Sequence, residues 1–375
     1  MHLLQLPERL DLGHGNVITP GEYAIDDVNG ANLLVMAGGG KLQPLTATRP
    51  INAALEACAS LRIVLMRAGG FGDLVLLTPV LREIKRRWPT AHLAVCTMHH
   101  YGAVLANLPF VDELVPYPIT KEALNTFDAW VFYENAIENN PRAEELHITQ
   151  VFAELAGLGA EGVENLHPAY IVKPSEAIWC NEQFPRVNGT RRVCIQVGAS
   201  AVARVYPQRL MGEAVGKMVQ RGWEVFLLGE KGEVKLPDNA PSLLHNLSAM
   251  GLTFRQSAAV VNTCDAFVGN DSALLHVAGA LDVPGCGLYG AFHWKLRTAY
   301  SPSIHAIQGN AGCEPCYHHV NAALRNHFPA HCPSKAKGIC QVLESIAPDR
   351  IVSTVDKIMR RLPPIATVVD FPARN

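Results

Sequence analysis

Residues 266–290 read Ala-Phe-Val-Gly-Asn-Asp-Ser-Ala-Leu-Leu-His-Val-Ala-Gly-Ala-Leu-Asp-Val-Pro-Gly-Cys-Gly-Leu-Tyr-Gly. The pattern is a short buried strand, a polar turn of Gly269, Asn270, Asp271 and Ser272, a compact helix over 273–281, and a second strand closing at Gly290. Strand, helix and strand at this spacing belong to a parallel sheet. An open α/β sheet binds its ligand at such a turn, beyond the carboxyl end of a strand, where the free N–H groups of the next helix converge. Asp271 or Ser272 is suited to cap that helix, and His276 lies one turn along, facing the same crevice.

The same grammar extends in both directions. Upstream, strands are expected at 191–198 and 223–228, with helices at 208–221 and 254–264; downstream, a strand at 304–308 and a last helix at 348–362. An earlier series starts with a strand at 62–66, the glycine-rich turn Arg67-Ala-Gly-Gly-Phe-Gly-Asp73, and a helix from Leu74 to Trp88. It continues with strands at 92–97, 113–117 and 129–133 and a helix at 142–157. The expected divisions are an appended module at 1–60, a Rossmann-like half at 61–185, a second such half at 186–345, and a C-terminal helix and tail at 346–375. The fold class is therefore α/β, two doubly wound halves with a cleft between them. The first 60 residues read as a β-rich cap, with a strand broken at Pro20-Gly21, a short helix at 26–37 and the run Gly38-Gly39-Gly40.

Composition narrows the function. Hydrophobic residues make up 49% and charged residues 18%, which suits large cores and excludes a disordered chain. Basic residues number 32 against 34 acidic, so the basic surplus of a nucleic-acid binder is missing. The N-terminus has no basic start followed by an apolar core, no apolar run reaches membrane-spanning length, and the expected compartment is the cytoplasm. Of ten cysteines, Cys58, Cys96, Cys180, Cys194, Cys264 and Cys286 are scattered and read as buried thiols. Cys313, Cys316, Cys332 and Cys340 are bunched. A Cys-x-x-Cys pair with two further cysteines suits a tetrahedral structural zinc or iron site, with His318, His319 and His331 as substitute ligands; free thiols or disulfides are the alternative.

Three separated motifs resemble glycosyltransferase family nine, the ADP-heptose lipopolysaccharide heptosyltransferases, over residues 61–361. They are Gly72-Asp73 with Thr78-Pro79 and Trp88-Pro89; Gly198-Ala-Ser-Ala-Val-Ala-Arg204-Val-Tyr206-Pro207; and Gly269 to Pro284 ending in Leu288-Tyr-Gly290. The resemblance implies the GT-B fold and inverting transfer of a heptose-type sugar from a nucleotide diphosphate, ADP-heptose first, to a hydroxyl of a lipopolysaccharide, other glycan or protein. It implies Asp73 as general base, with Gly70 and Gly72 letting the backbone approach the acceptor. Gly198, Ser200, Arg204, Glu233, Asp271, Ser272 and His276 would bind the donor, Asp271 through sugar hydroxyls and Glu233 near the ribose. Helix caps at Asp73 and Asp271, and a solvated carboxylate at Glu233, are the plain alternatives.

The chain departs from the family at Arg204, where Lys is usual before a Trp-Pro pair, and at Ala273, where Gly is usual. Arg keeps the charge and changes the geometry. Catalysis needs no cofactor on this reading. The expected partners are the nucleotide sugar, a glycan, lipid-linked or protein acceptor, the inner face of the inner membrane as a peripheral surface, and further copies of the chain. A decayed GT-B scaffold or sugar-binding protein, and a GT-B nucleotide-sugar epimerase, remain the competing functions.

Overall fold

In this computed structural model the described residues are 2–11, 17–25, 41–44, 51, 61–187, 189–313, 316, 328 and 332–364. The expected helix at 26–37, the triple glycine, Cys58, His318, His319 and His331 lie outside them. The chain divides into two units, residues 1–171 and 172–375.

The first unit begins with β1 (His2–Leu6), β2 (Leu10–Asp11), β3 (Val17–Ile18), β4 (Gly21–Ile25) and β5 (Lys41–Pro44). There follow β6 (Arg62–Met66), β7 (His92–Thr97), β8 (Glu113–Pro116), β9 (Ile119–Thr120) and β10 (Ala129–Phe132). A parallel sheet runs in the order β10-β6-β7-β8, and an antiparallel one in the order β5-β1-β4-β9. Side chains alternate across a strand, so Val64, Met66, Ala94 and Cys96 share one face. That face packs against Leu4, Leu6, Tyr23 and Ile25 of the antiparallel sheet. The N-terminal strands thus cover a sheet face where a doubly wound domain carries helices. Ile63, Leu65, Leu93 and Val95 point the other way and are equally buried, as are Leu74, Leu77, Leu81 and Ile84 of the helix Phe71–Arg87.

The second unit carries β11 (Arg192–Gln196), β12 (Glu224–Leu228), β13 (Leu244–Asn246), β14 (Ala266–Asn270), β15 (Gly285–Tyr289) and β16 (Ile304–Gln308). All are parallel, in the order β13-β12-β11-β14-β15-β16. Helices cover both faces. Val193, Ile195, Leu227 and Val268 join one core with residues of the helices Gln208–Gln220 and Pro348–Arg361; Cys194, Phe226 and Phe267 join another with Cys180, Ala259, Val260 and Leu275. The strand order reverses between β11 and β14, the switch point at which such sheets bind ligands.

Some boundaries differ from expectation. The helix Pro174–Gln183 belongs to the second unit, because Cys180 is buried in its core and Glu176 accepts from Arg255 at 2.6 Å; the division falls at 171/172, ahead of 185/186. The helix expected over 142–157 is helical only from Ile148 to Leu155, where the His147 ring and Gln150 side chain form a capping box that fixes its start. Among the described residues no helix is long and apolar enough to cross a membrane.

Candidate functional site

At the switch point of the second unit, β14 ends in Asn270 and the helix Ala273–Ala280 follows. Asn270 ties the ends of the two central strands together: its amide donates to the carbonyls of Val197 (3.0 Å) and Gly198 (3.3 Å), and its oxygen accepts the Tyr206 N–H (2.9 Å). The next residue, Asp271, is 3% exposed, and neither carboxylate oxygen has a hydrogen-bond partner. Two arginines and a histidine stand around it just beyond hydrogen-bond distance. His276 Nε2 lies 3.6 Å from Oδ1; Arg297 Nε and Arg204 Nη1 lie 3.6 and 3.8 Å from Oδ2. Burial by itself would raise the Asp271 carboxyl; His276, Arg297 and Arg204 outweigh it and hold the group well below the usual carboxylate range.

Orphaned polar atoms collect here. Besides the two Asp271 oxygens, His276 Nδ1, Arg204 Nε and Gln196 Oε1 are buried without a hydrogen-bond partner. Buried polar groups are nearly always satisfied, so five orphans in one place mark a surface shaped for a polar ligand. Ser272 is the N-cap residue of the helix, yet its side chain makes no capping bond; its hydroxyl instead accepts from Gln196 Nε2 at 2.9 Å. The expected cap at Asp271 or Ser272 is therefore not made. That helix leaves its first-turn N–H groups without a side-chain acceptor, which suits an anion. Arg204 donates from Nη2 to Ser200 Oγ (2.6 Å) and from Nη1 to the Asp271 carbonyl (3.1 Å). Glu233 accepts the Glu230 N–H at 2.8 Å and presses so close to Gly198 that a Cβ there would stand 2.2 Å from its carboxylate. Glu233 thus lies against the strand ends while staying partly exposed.

The first unit holds a second polar turn. Gly70, at φ 94°, is the N-cap of the helix Phe71–Arg87, so Asp73 sits inside the first turn and does not cap a helix beginning at Leu74. A Cβ on Gly70 would stand 2.5 Å from Asp73 Oδ2, so glycine is required by its φ and by the space. Gly72 lies in the same turn. Arg67 donates to Asp73 Oδ2 and to the Tyr133 carbonyl, and the Ala68 N–H donates to Glu134. Burial would lower the Arg67 guanidinium, and Asp73, Glu134 and Glu138 more than restore it. Asp73 keeps 28% side-chain exposure. Phe71, His100 and Tyr101 form an aromatic cluster beside it, with Phe71 and Tyr101 ring centres 4.6 Å apart.

Of the cysteine cluster, Cys340 is buried, Cys313 and Cys332 are half-buried and Cys316 is exposed. Burial pushes the Cys340 thiol up, with Cys316 and Cys332 adding to it. Among the described residues no three His, Cys, Asp or Glu side chains are arranged to hold a metal ion. Cys96, Cys180, Cys194, Cys264 and Cys286 are buried thiols, as expected. A cavity of about 470 Å³ runs along the helix Gln208–Gln220 between Met211, Val215 and Leu236. It reaches Val197 and Glu233 but none of the orphaned atoms. Motif reading named Asn270 and Arg67 within their turns without assigning them a role, and did not single out Gln196, Glu134, Phe292 or Arg297. A strand-end position could have flagged Gln196; nothing in the sequence points to Arg297.

Residues 127–327, more than half of the chain, match the family described as glycosyltransferase family 9 (heptosyltransferase). Lipopolysaccharide heptosyltransferase 2 of Salmonella typhimurium is 20% identical over 357 residues, taking in 80% of this chain and 99% of that protein. Among solved structures, E. coli ADP-heptose lipopolysaccharide heptosyltransferase II matches with a TM-score of 0.63 at 19% identity, over 80% of this chain and 99% of its own. The E. coli dodecameric iron-containing heptosyltransferase TibC, solved in complex with ADP-D-β-D-heptose, matches with a TM-score of 0.59 at 14% identity, over 96% and 92%. At these identities the likenesses show the shared GT-B fold. With its two parallel-sheet units and its family match, the chain belongs to glycosyltransferase family 9 and is a glycosyltransferase.

Proposed function

We propose that the protein transfers a heptose-type sugar from ADP-heptose to a hydroxyl of a glycan, lipid-linked or protein acceptor with inversion at the anomeric carbon. The observation that carries this reading is the Asp271 carboxylate, buried with both oxygens unbonded beside orphaned His276, Arg204 and Gln196 atoms. Sugar hydroxyls are donors of the kind those oxygens lack. The diphosphate is assigned to Ser200, Arg204, Ser272, His276 and the first-turn N–H groups of the helix Ala273–Ala280, and the ribose to Glu233 beside Gly198. Asp73 takes the proton of the acceptor hydroxyl, whose oxygen bonds to the anomeric carbon as the bond to phosphate breaks and ADP leaves. Gly70 and Gly72 keep that turn free of side chains. Positive groups and helix N–H donors meet the charge growing on the leaving diphosphate, so this reading needs no cofactor.

The reading extends to three further points. ADP-D-β-D-heptose in TibC and the heptosyltransferase names of the relatives support the donor. A structural zinc or iron held by Cys313, Cys316, Cys332 and Cys340 draws on the influence of Cys316 and Cys332 on Cys340 and on the iron-containing description of TibC; four thiolates leave no open position for chemistry. An oligomer, as in dodecameric TibC, and work at the cytoplasmic face of the inner membrane complete it. The test is incubation with ADP-heptose and a panel of core-oligosaccharide and protein acceptors, read by mass spectrometry. A heptose mass added to one acceptor with stoichiometric ADP supports transfer. Donor bound without turnover on any acceptor points to a scaffold, and an altered ADP-sugar without acceptor points to an epimerase.

A further inference from the structure

Asp271 is flanked by two arginines that are held very differently. Arg204 has 23% side-chain exposure, sits on the turn that carries Ser200, and hydrogen-bonds to the Ser200 hydroxyl and the Asp271 carbonyl. Its guanidinium is 6.0 Å from the Phe292 ring. Arg297 is 8% exposed and its guanidinium lies 4.4 Å over the same ring. It belongs to the short helix Lys295–Thr298, whose Thr298 is bonded to the Tyr289 hydroxyl at 2.7 Å, within the buried core. One arginine is on the turn that carries Ser200; the other is clamped to an aromatic face.

A diphosphate arriving at Ser200 competes for Arg204, since a bidentate phosphate contact outweighs a guanidinium–carboxylate separation of 3.8 Å. Asp271 would then lose one of its counter-charges while still buried, and a buried charge left unpaired is costly. Arg297 can remain. We propose that Arg297 is the positioning residue for sugar recognition: clamped on Phe292, it keeps Asp271 charged and aimed at the donor's hydroxyls while Arg204 serves the diphosphate. This rests on the donor reading above and deepens it by splitting the site into a sugar half and a nucleotide half.

The split predicts a pattern that a merely structural arginine does not produce. Arg297→Met should leave the Kd for ADP within about twofold and weaken ADP-heptose at least tenfold, both read by calorimetry at pH 7. Arg297→Lys, which restores a cation without the planar fork, should recover part of the sugar-specific loss. Phe292→Leu, which keeps the charge and removes the clamp, should show the same selectivity at smaller amplitude and serves if Arg297→Met does not fold. Equal losses for ADP and ADP-heptose, or no loss for either, would overturn the inference. A wild-type protein that neither binds nor turns over ADP-heptose overturns the donor reading itself, which separates the two failures.

Discussion

The two carboxylates of this protein, Asp73 in the first unit and Asp271 in the second, each follow a turn at the end of a central parallel strand, yet their surroundings are opposite. Asp73 is partly exposed and already engaged by Arg67. Asp271 is sealed, with two arginines and a histidine at 3.6–3.8 Å and no hydrogen bond to either oxygen. Solvent access and a fixed orientation suit a group that exchanges a proton with an incoming hydroxyl. Burial with empty acceptor positions suits a group that a ligand must complete. On the proposed function, carboxylates of the same type at equivalent places in similar sheets take different tasks.

The comparison is most exposed to Asp73→Asn. Transfer should fall by about 10²–10⁴-fold, the range for loss of a general base, while ADP-heptose binding stays within about twofold. Single-turnover rates and calorimetry measure the two; intact turnover removes Asp73 from the chemistry. Next comes Asn270→Ala, which strips the Tyr206 N–H and the Val197 and Gly198 carbonyls of their partner. Each buried orphan costs about 1–3 kcal/mol, and the total is expected near 3 kcal/mol in urea unfolding, with donor affinity falling in parallel. Unchanged stability would mean that the strand ends are not held by this amide.

Ser272→Ala is smaller. It removes one acceptor for Gln196 and one candidate phosphate contact, worth about 0.5–1.5 kcal/mol, or roughly two- to tenfold in the ADP dissociation constant. The weakest effect is a predicted constancy. The Asp271 carboxyl is held below the usual range, so it stays ionised above that lowered value, and its contribution is lost only as pH falls through it. ADP-heptose affinity should therefore not lose the Asp271 contribution between pH 7 and about pH 4, the ordinary aspartate range. A carboxylate titration near pH 4 to 5 that disappears in Asp271→Asn would contradict this.

What the sequence made legible follows from how locally each feature is determined. The central strands could be read because a strand buried on both faces is a short continuous apolar run, as in Arg62–Met66 and Ala266–Asn270. The N-terminal sheet could not be read in full, because β4 pairs with Ile119–Thr120, nearly a hundred residues away. The helix Pro174–Gln183 was hidden for another reason: only Cys180 is buried, so it has no apolar stripe to find. At the site, Asp271, His276, Ser200 and Arg204 fall in two motifs, and the fold brings them together. Arg297 and Phe292 follow the last motif and enter only because the chain after β15 turns back over Asp271. The hydrogen bonds of Asn270 are likewise tertiary, although the residue itself lies in the turn that decided the fold.

The central claim is that Asp271 is left unbonded for the sugar of the donor, and a crystal structure with ADP-heptose bound tests it most directly. The prediction is that ligand hydroxyls lie about 2.5–3.2 Å from the Asp271 oxygens, with the diphosphate at Ser200, Arg204 and the start of the helix Ala273–Ala280. A bound donor that leaves both Asp271 oxygens without partners would contradict it.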